Sequence, residues 1–239
     1  MSNDYYQPGA ERASKVNELF NRIARRYDFI NDFQSFGLHR LWKRWLWKLS
    51  CPKTGTRVLD LCCGTGDIAF LFAGKGCEVT GLDFSEEMLR VARERQDGSK
   101  SNVNFIQGDA MKTGLPDAEF DVLTIGYGLR NLADCDAALA EMKRLLKPGG
   151  QLLILEFGKP DNGLIRGLYY GFLKLAVPAL GFLFAGDSAA YAYILESLKH
   201  YPAQRGVDEK LKALGMEKNA ITNFCFGAMS INSAIKPER

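Results

Sequence analysis

The stretch Arg57-Val58-Leu59-Asp60-Leu61-Cys62-Cys63-Gly64-Thr65-Gly66-Asp67 decides the fold of this chain. It begins as an apolar run, breaks at two glycines and continues into an apolar segment, which is typical of a buried strand, a tight turn and a helix start. Glycines in such a turn let the backbone approach a ligand, and the helix start offers free N–H groups. We therefore expect a ligand at the carboxyl end of this strand, where open parallel sheets bind their ligands.

Acidic side chains follow three successive strand-like segments, at Asp60, Asp83 and Asp109, and Asp67 follows the second glycine. With Ala69 as its third small residue, the turn also fits a dinucleotide site. However, carboxylates would repel a pyrophosphate and favour a ligand with an amino group. Any one of these acids could instead be a helix N-cap. The ordered set resembles the class I S-adenosylmethionine-dependent methyltransferases.

Composition sets the limits for this interpretation. The 239 residues carry a formal net charge of +3, which gives no argument for nucleic-acid binding, and no net basic domain is apparent. The six cysteines form no C-x-x-C pair, so we expect no metal site. Several lie in apolar runs, as reduced thiols of a cytoplasmic protein do. The expectation is a cytoplasmic protein without nucleic-acid partners.

Four separate segments resemble the UbiE/COQ5 family of quinone C-methyltransferases. They are Tyr27–Trp42, similar to Y-D-x-M-N followed by S-x-x-x-H-x-x-W; Gly126–Asn131, similar to G-L-R-N; Arg144–Gly158, similar to R-V-x-K-P-G-G ending E-x-S; and Ala190–Pro202, similar to A-Y-x-Y-L-x-x-S. Ile30 replaces the usual methionine and Gly158 the usual serine. A glycine at 158 lacks the hydroxyl group that this position of the family pattern usually carries.

The resemblance and the alternating pattern predict an α/β fold of the Rossmann-like class I type. Its sheet would have seven mostly parallel strands, with an N-terminal helical cap at 1–50, a methyltransferase domain at 51–239 and a helical insertion at about 160–203. The strands after the first are predicted at 79–83, 105–110, 121–126, 151–157, 220–226 and 229–235. Helices are predicted at 38–49 and 86–95, the first with a basic face of Arg40, Lys43 and Arg44 that could meet an anionic membrane.

The resemblance also implies roles for individual residues. For the cofactor S-adenosylmethionine, these residues are Asp60, Gly64, Thr65, Gly66, Asp83, Asp109, Ala110 and Gly126, with Asp83 on the ribose and Gly126 at the pocket floor. The candidates for catalysis are Arg130, Asn131, Asp67 and His39, of which the last titrates near neutrality. Tyr127, Tyr193 and Tyr201 are the candidates for substrate binding.

The implied reaction is methylation of a ring carbon of a prenylated quinol, with demethylmenaquinol favoured. A ubiquinone-precursor benzoquinol or a phytyl-naphthoquinol is the alternative acceptor, and a non-catalytic cofactor-binding scaffold is the alternative class. The apolar segment Leu164–Phe184 would receive the prenyl tail, and peripheral membrane contact is expected. Oligomeric state stays open, with a homodimer among the alternatives.

Overall fold

The computed structural model describes residues 37–98, 101–185 and 197–238, with single positions at 18, 20, 21, 24, 31, 32 and 35. The strands are β1 (Arg57–Leu61), β2 (Glu78–Asp83), β3 (Val103–Gln107), β4 (Phe120–Gly126), β5 (Leu146–Phe157), β6 (Glu217–Phe224) and β7 (Met229–Ile235). The helices are α1 (Leu38–Ser50), α2 (Asp67–Ala73), α3 (Glu86–Asp97), α4 (Cys135–Leu145), α5 (Gly163–Ala185) and α6 (Ala203–Ala213).

The strands form one seven-stranded sheet in the order β3-β2-β1-β4-β5-β7-β6. Strands β1 to β5 pair in parallel, and β7 runs antiparallel between β5 and β6. In β1, Val58, Leu59 and Leu61 are fully buried, as expected for a central parallel strand that is covered on both faces. The predicted fold of seven mostly parallel strands is confirmed.

Helices α3 and α4 begin at side-chain caps. The Ser85 side chain accepts a hydrogen bond from the Met88 N–H at the start of α3, and Asp134 caps α4 in the same way. Helix α1 packs on the sheet through Leu46, which is fully buried in a cluster with Val58. These contacts fix the loops that follow the carboxyl ends of the strands.

Several predicted boundaries are wrong. Strand β5 begins at Leu146 rather than at 151, because Leu146 pairs with Phe120 of β4. On its other side, the pairing with β7 extends to Gly150, whose carbonyl accepts from the Lys236 N–H. Strand β6 is Glu217–Phe224 rather than 220–226. Most of the segment before residue 37 lies outside the described residues. No described helix is long and apolar enough to span a bilayer.

Candidate active site

A cleft of about 820 Å³, partly open to solvent, lies at the carboxyl ends of β1, β2 and β4. Open parallel sheets bind ligands there, and the size suits a small molecule. The predicted site residues that line it are Gly64, Asp83, Asp109, Ala110, Gly126, Tyr127 and Asn131. The lining residues that the sequence did not predict are Phe20, Cys62, Leu82, Phe84, Ser85, Met88, Gly108, Met111, Gly128, Leu132 and Ala133.

The glycine turn between β1 and α2 is held from the side away from the cleft. Gly66 has a φ of 89°, and a Cβ there would lie 2.8 Å from Cε2 of Phe70. Thr65 is buried, and its carbonyl accepts a hydrogen bond from Nη1 of Arg95 at 2.8 Å. Thr65 and Gly66 therefore shape the turn, while Gly64 is the residue of this group that lines the cleft.

Asp83 joins the first two strand ends through backbone donors. Its Oδ2 accepts from the Gly64 N–H at 2.8 Å and its Oδ1 from the Ser85 N–H at 2.9 Å. Burial raises the pKa of Asp83, and these N–H donors oppose the rise. Each carboxylate oxygen has a second lone pair, so Asp83 can also accept from ligand hydroxyl groups in the cleft.

Asp109, Ala110 and Gly126 form further walls of the cleft. The carboxylate of Asp109 accepts from the Met111 N–H at 2.8 Å, which orders the loop after β3. A Cβ at Gly126 would lie 2.5 Å from Cδ1 of Ile68, so a side chain there would displace the end of the Ile68 side chain on α2. The absence of a side chain at this position therefore suits the local packing.

Asp60 is a buried carboxyl in the middle of the sheet. Its side chain is 1% exposed, and Oδ1 accepts from the Thr124 hydroxyl at 2.8 Å. Its Oδ2 has no hydrogen-bond partner in the part of the chain that the structure describes. Burial raises the pKa of Asp60 to about 7, against the opposing effects of Thr124 and Lys43. Asp60 does not line the cleft.

Two predicted catalytic groups, Asp67 and His39, are engaged elsewhere. Asp67 pairs with Lys43 and with Arg95, each at 2.7 Å. Burial would raise the pKa of Asp67, but the two cations hold it at about 2, so this carboxylate is a weak proton acceptor. His39 is 3% exposed and contacts Asp32 at 2.8 Å, and burial lowers its pKa. Lys43 was predicted to lie on an exposed basic face of α1. This prediction is wrong, because Lys43 is buried.

Arg130 lies in a buried ion pair behind the cleft. Its Nη1 donates to Oε1 of Glu156 at 2.6 Å and to the Tyr127 carbonyl at 2.7 Å. Nδ2 of Asn131 donates to the same carbonyl at 3.2 Å. The guanidinium also lies over the Phe157 ring, with Cζ 4.7 Å from the ring centroid. The predicted catalytic pair Arg130 and Asn131 therefore converges on a backbone carbonyl of the cleft wall.

The three predicted substrate tyrosines differ in position. Tyr127 lines the cleft and has a φ of 60°, in the left-handed region. Tyr201 is 4% exposed within the core, burial raises its pKa, and its carbonyl accepts from Nζ of Lys159. Tyr193 lies outside the described residues.

The described residues contain neither a cluster of metal ligands nor a disulfide bond. Across residues 37–98, 101–185 and 197–238, no cluster of His, Cys, Asp or Glu could hold a metal ion, and the absence of a metal site stays a prediction. All six cysteines are free, and Cys63 and Cys77 are buried. Burial raises the pKa of both thiols.

Glu156 and Phe84 are the most informative residues that were not predicted. Glu156 is the acid of the segment that resembles K-P-G-G ending E-x-S, so the motif contained the signal. Phe84 follows Asp83 directly and is 48% exposed beside the cleft. An apolar residue just after a strand-end acid could have identified it.

Comparison with known sequences identifies the family. The profile of the ubiE/COQ5 methyltransferase family matches residues 9–236. The chain belongs to this family. It is 40% identical over 235 residues to a protein of Azotobacter vinelandii named ubiquinone/menaquinone biosynthesis C-methyltransferase UbiE, covering 96% of this chain and 93% of that one. The predicted S-adenosylmethionine-dependent C-methyltransferase is confirmed.

Solved structures agree on the fold. A Thermotoga maritima S-adenosylmethionine-dependent methyltransferase, described as a possible histamine N-methyltransferase, superposes with a TM-score of 0.65 at 19% identity, covering 92% of this chain and 98% of that one. The [4+2]-cyclase SpnF superposes with a TM-score of 0.63 at 18% identity, covering 94% and 96%. Because a cyclase and a methyltransferase share this fold, the fold alone does not decide the reaction.

The residues of the cleft fit S-adenosylmethionine. Asp83 and Asp109 offer acceptors for hydroxyl and amino groups, and the uncharged apolar side chains of Leu82, Phe84 and Met88 can contact an aromatic base. Gly64 and Gly126 line the cleft without side chains, so the ligand can approach their backbone closely. The acidic lining disfavours an anionic ligand of similar size.

Proposed function

We propose that this methyltransferase transfers a methyl group to a ring carbon of a prenylated quinol, with demethylmenaquinol as acceptor and menaquinol as product. The observation that carries the proposal is the 40% identity, over nearly the whole chain, to proteins named for ubiquinone and menaquinone biosynthesis. The acceptor would be the reduced quinol, because an oxidised quinone ring is too electron-poor to attack a methyl group.

The cofactor half of the proposed site consists of Gly64, Asp83, Asp109, Ala110 and Gly126. When bound, S-adenosylmethionine supplies an electrophilic methyl group. Asp83 would hold the ribose hydroxyls while the Gly64 and Ser85 N–H groups fix its carboxylate. Asp60, which is buried, and Thr65 and Gly66, which lie within the turn, would support this half without lining it.

The acceptor half would be formed by Tyr127 and Asn131, which line the cleft on the β4 side. Arg130 contributes through its hydrogen bond to the Tyr127 carbonyl. We propose that these residues orient the quinol ring, since alignment of the reacting groups supplies much of the rate of such a transfer. The existing contacts of Asp67 with Lys43 and of His39 with Asp32 favour a supporting role for both, and a role for Tyr193 or Tyr201 in substrate binding stays a prediction.

The outer face of α5 is the proposed contact with the membrane that holds the prenyl substrate. Leu164, Leu168 and Leu175 are 75%, 69% and 73% exposed, and they lie on one side of the helix. The helix carries Arg166 and Lys174 but no acidic residue. Exposed apolar groups with nearby cations suit the surface of an anionic bilayer.

Vesicle sedimentation tests this contact. We expect Leu168→Glu to reduce the fraction bound to vesicles of phosphatidylglycerol and phosphatidylethanolamine, because a charge would enter the apolar face. Lys75→Gln changes the net charge equally at an exposed site outside α5 and should bind as the wild type does. Equal binding by Leu168→Glu and the wild type would contradict the proposed face.

The main experiment measures transfer of labelled methyl from S-adenosylmethionine to chemically reduced demethylmenaquinol in detergent micelles. A ubiquinone-precursor benzoquinol and a phytyl-naphthoquinol serve as competing acceptors. Label in the demethylmenaquinol alone supports the proposal, and label in a competitor as well would mean a broader acceptor range. Cofactor binding without label in any acceptor would favour a scaffold within a quinone-synthesis complex.

The homodimer is a separate prediction, and light scattering tests it by measuring the molar mass in solution.

A further inference from the structure

The carboxylate of Glu156 is the most completely bonded buried charge behind the cleft. It is 1% exposed at the end of β5. Its Oε1 accepts from Nη1 of Arg130 at 2.6 Å and from the Phe157 N–H at 2.9 Å, and its Oε2 accepts from the Arg130 N–H at 3.2 Å. Both the side chain and the backbone of Arg130 are therefore tied to one carboxylate.

Arg130 transmits this anchor to the wall of the cleft. The same Nη1 that binds Glu156 donates to the Tyr127 carbonyl at 2.7 Å. Tyr127 has a φ of 60°, a left-handed conformation that is unfavourable for a residue with a side chain and persists where the surroundings enforce it. Its ring contacts Phe157 with centroids 5.7 Å apart, and Tyr127 lines the cleft.

We propose that Glu156 is a positioning residue for methyl transfer. It acts through Arg130, which holds the Tyr127 carbonyl and so fixes the Tyr127 ring at the acceptor side of the cleft. Glu156 does not line the cleft, so its effect passes through this chain of contacts. The expected effect on quinol turnover rests on the proposed function. The expected effect on the position of Tyr127 rests on the geometry alone.

Stability alone is a poor explanation for this pair. Buried ion pairs are often no more stabilising than apolar residues of similar volume, whereas removal of one partner leaves an uncompensated charge. What an apolar pair could not supply is the Arg130 donor to the Tyr127 carbonyl, which at 2.7 Å is closer than the second donor, Nδ2 of Asn131, at 3.2 Å. This difference separates a positioning role from a structural one in experiments.

The first test uses Glu156→Asp, which keeps the charge but withdraws the carboxylate by one methylene. We expect a folded protein with nearly unchanged affinity for S-adenosylmethionine in calorimetry, and a loss in turnover of the quinol that approaches about 10²-fold, the typical cost of misplaced groups. The control Asp121→Asn loosens the pair of Asp121 with Lys147, which lies at the start of β4, and should keep wild-type turnover. Wild-type turnover in Glu156→Asp would overturn the proposal.

A second test removes both charges with the double variant Arg130→Met/Glu156→Leu. We expect its thermal stability to exceed that of Glu156→Gln, which leaves Arg130 with an uncharged partner, while quinol turnover stays low. Recovery of turnover together with stability would mean that the pair is structural, and the proposal would fail.

A readout that needs no substrate separates this inference from the proposed function. In protein labelled with 3-fluorotyrosine, Tyr127→Phe assigns the ¹⁹F resonance of Tyr127. We expect that resonance to shift or broaden in Glu156→Asp and to stay unchanged in Asp121→Asn. An unchanged resonance in Glu156→Asp would contradict the inference, whereas a wild type that methylates no quinol but shows the expected ¹⁹F shift would contradict only the proposed function.

Discussion

The two halves of the cleft are built by different interactions. On the cofactor side, the Asp83 carboxylate accepts from the backbone N–H groups of Gly64 and Ser85. On the acceptor side, the buried pair of Arg130 and Glu156 holds a backbone carbonyl. The first arrangement needs one particular side chain, that of Asp83, together with backbone N–H groups. The second depends on two particular side chains, so we expect it to be more sensitive to substitution.

The largest effect should come from breaking the acceptor half with Arg130→Ala. We expect a loss of about 3–5 kcal/mol in the free energy of unfolding, because Glu156 would remain as a buried unpaired charge. Urea denaturation measures it. Arg205→Ala, which breaks an exposed pair with Asp161, should cost no more than about 1 kcal/mol. Similar costs for the two variants would remove the proposed difference between the halves.

The cofactor half should respond to Asp83→Ala mainly in binding. Hydrogen bonds to a charged group contribute about 1.5–3 kcal/mol, so affinity for S-adenosylmethionine should fall about 10- to 10²-fold in titration calorimetry. Tyr127→Phe, a change on the acceptor half, should retain wild-type affinity. A weaker affinity in Tyr127→Phe than in Asp83→Ala would contradict this division of the cleft.

A steric change where the halves meet should have a smaller effect. Gly126→Ala places a Cβ against Cδ1 of Ile68, and such overpacking typically costs about 1–3 kcal/mol of stability. The double variant Gly126→Ala/Ile68→Val removes the opposing methyl group and should recover most of the melting temperature. Absence of any recovery would mean that the glycine is required for a reason other than this contact.

The smallest effect should be the acid dependence that Asp67 confers. Its pKa falls from 3.8 to about 2 on folding, so its stabilisation is complete above about pH 4 and disappears as pH falls toward 2. The difference in unfolding free energy between wild type and Asp67→Asn should shrink over this range, from less than about 2 kcal/mol. A difference that grows as the pH falls would refute the assigned pairing with Lys43 and Arg95.

The sequence pointed to the lining residues of the proposed cofactor half more directly than to the contacts of the proposed acceptor half. Gly64, Asp83 and Asp109 follow strands directly, so local pattern and parallel topology bring them together. Arg130 was predicted from a motif, but its partner Glu156 lies 26 residues further along and meets it only because β4 and β5 pair. The spacing of apolar residues and the amino-acid composition carry no information about such a pairing.

His39 and Lys43 were misleading for a related physical reason. A basic helix face normally faces solvent, and Arg40 and Arg44 do so here. His39 and Lys43 of the same helix are instead buried and meet the carboxylates of Asp32 and Asp67. The sequence does not state which face of α1 packs inward when apolar and basic residues alternate so closely. Leu46 rather than its charged neighbours decides that orientation, since it is fully buried.

Gly158 carries a consequence for the side chains that position 158 can accept. It stands where the resembling family pattern has a serine, and here a Cβ would clash with the Gly227 carbonyl oxygen and lie 2.9 Å from Oε1 of Gln204. The Gln204 side chain bridges both the N–H and the carbonyl of Lys159. A serine at 158 would therefore require the 225–227 turn and the Gln204 side chain to move, so glycine at this position is coupled to the packing of both.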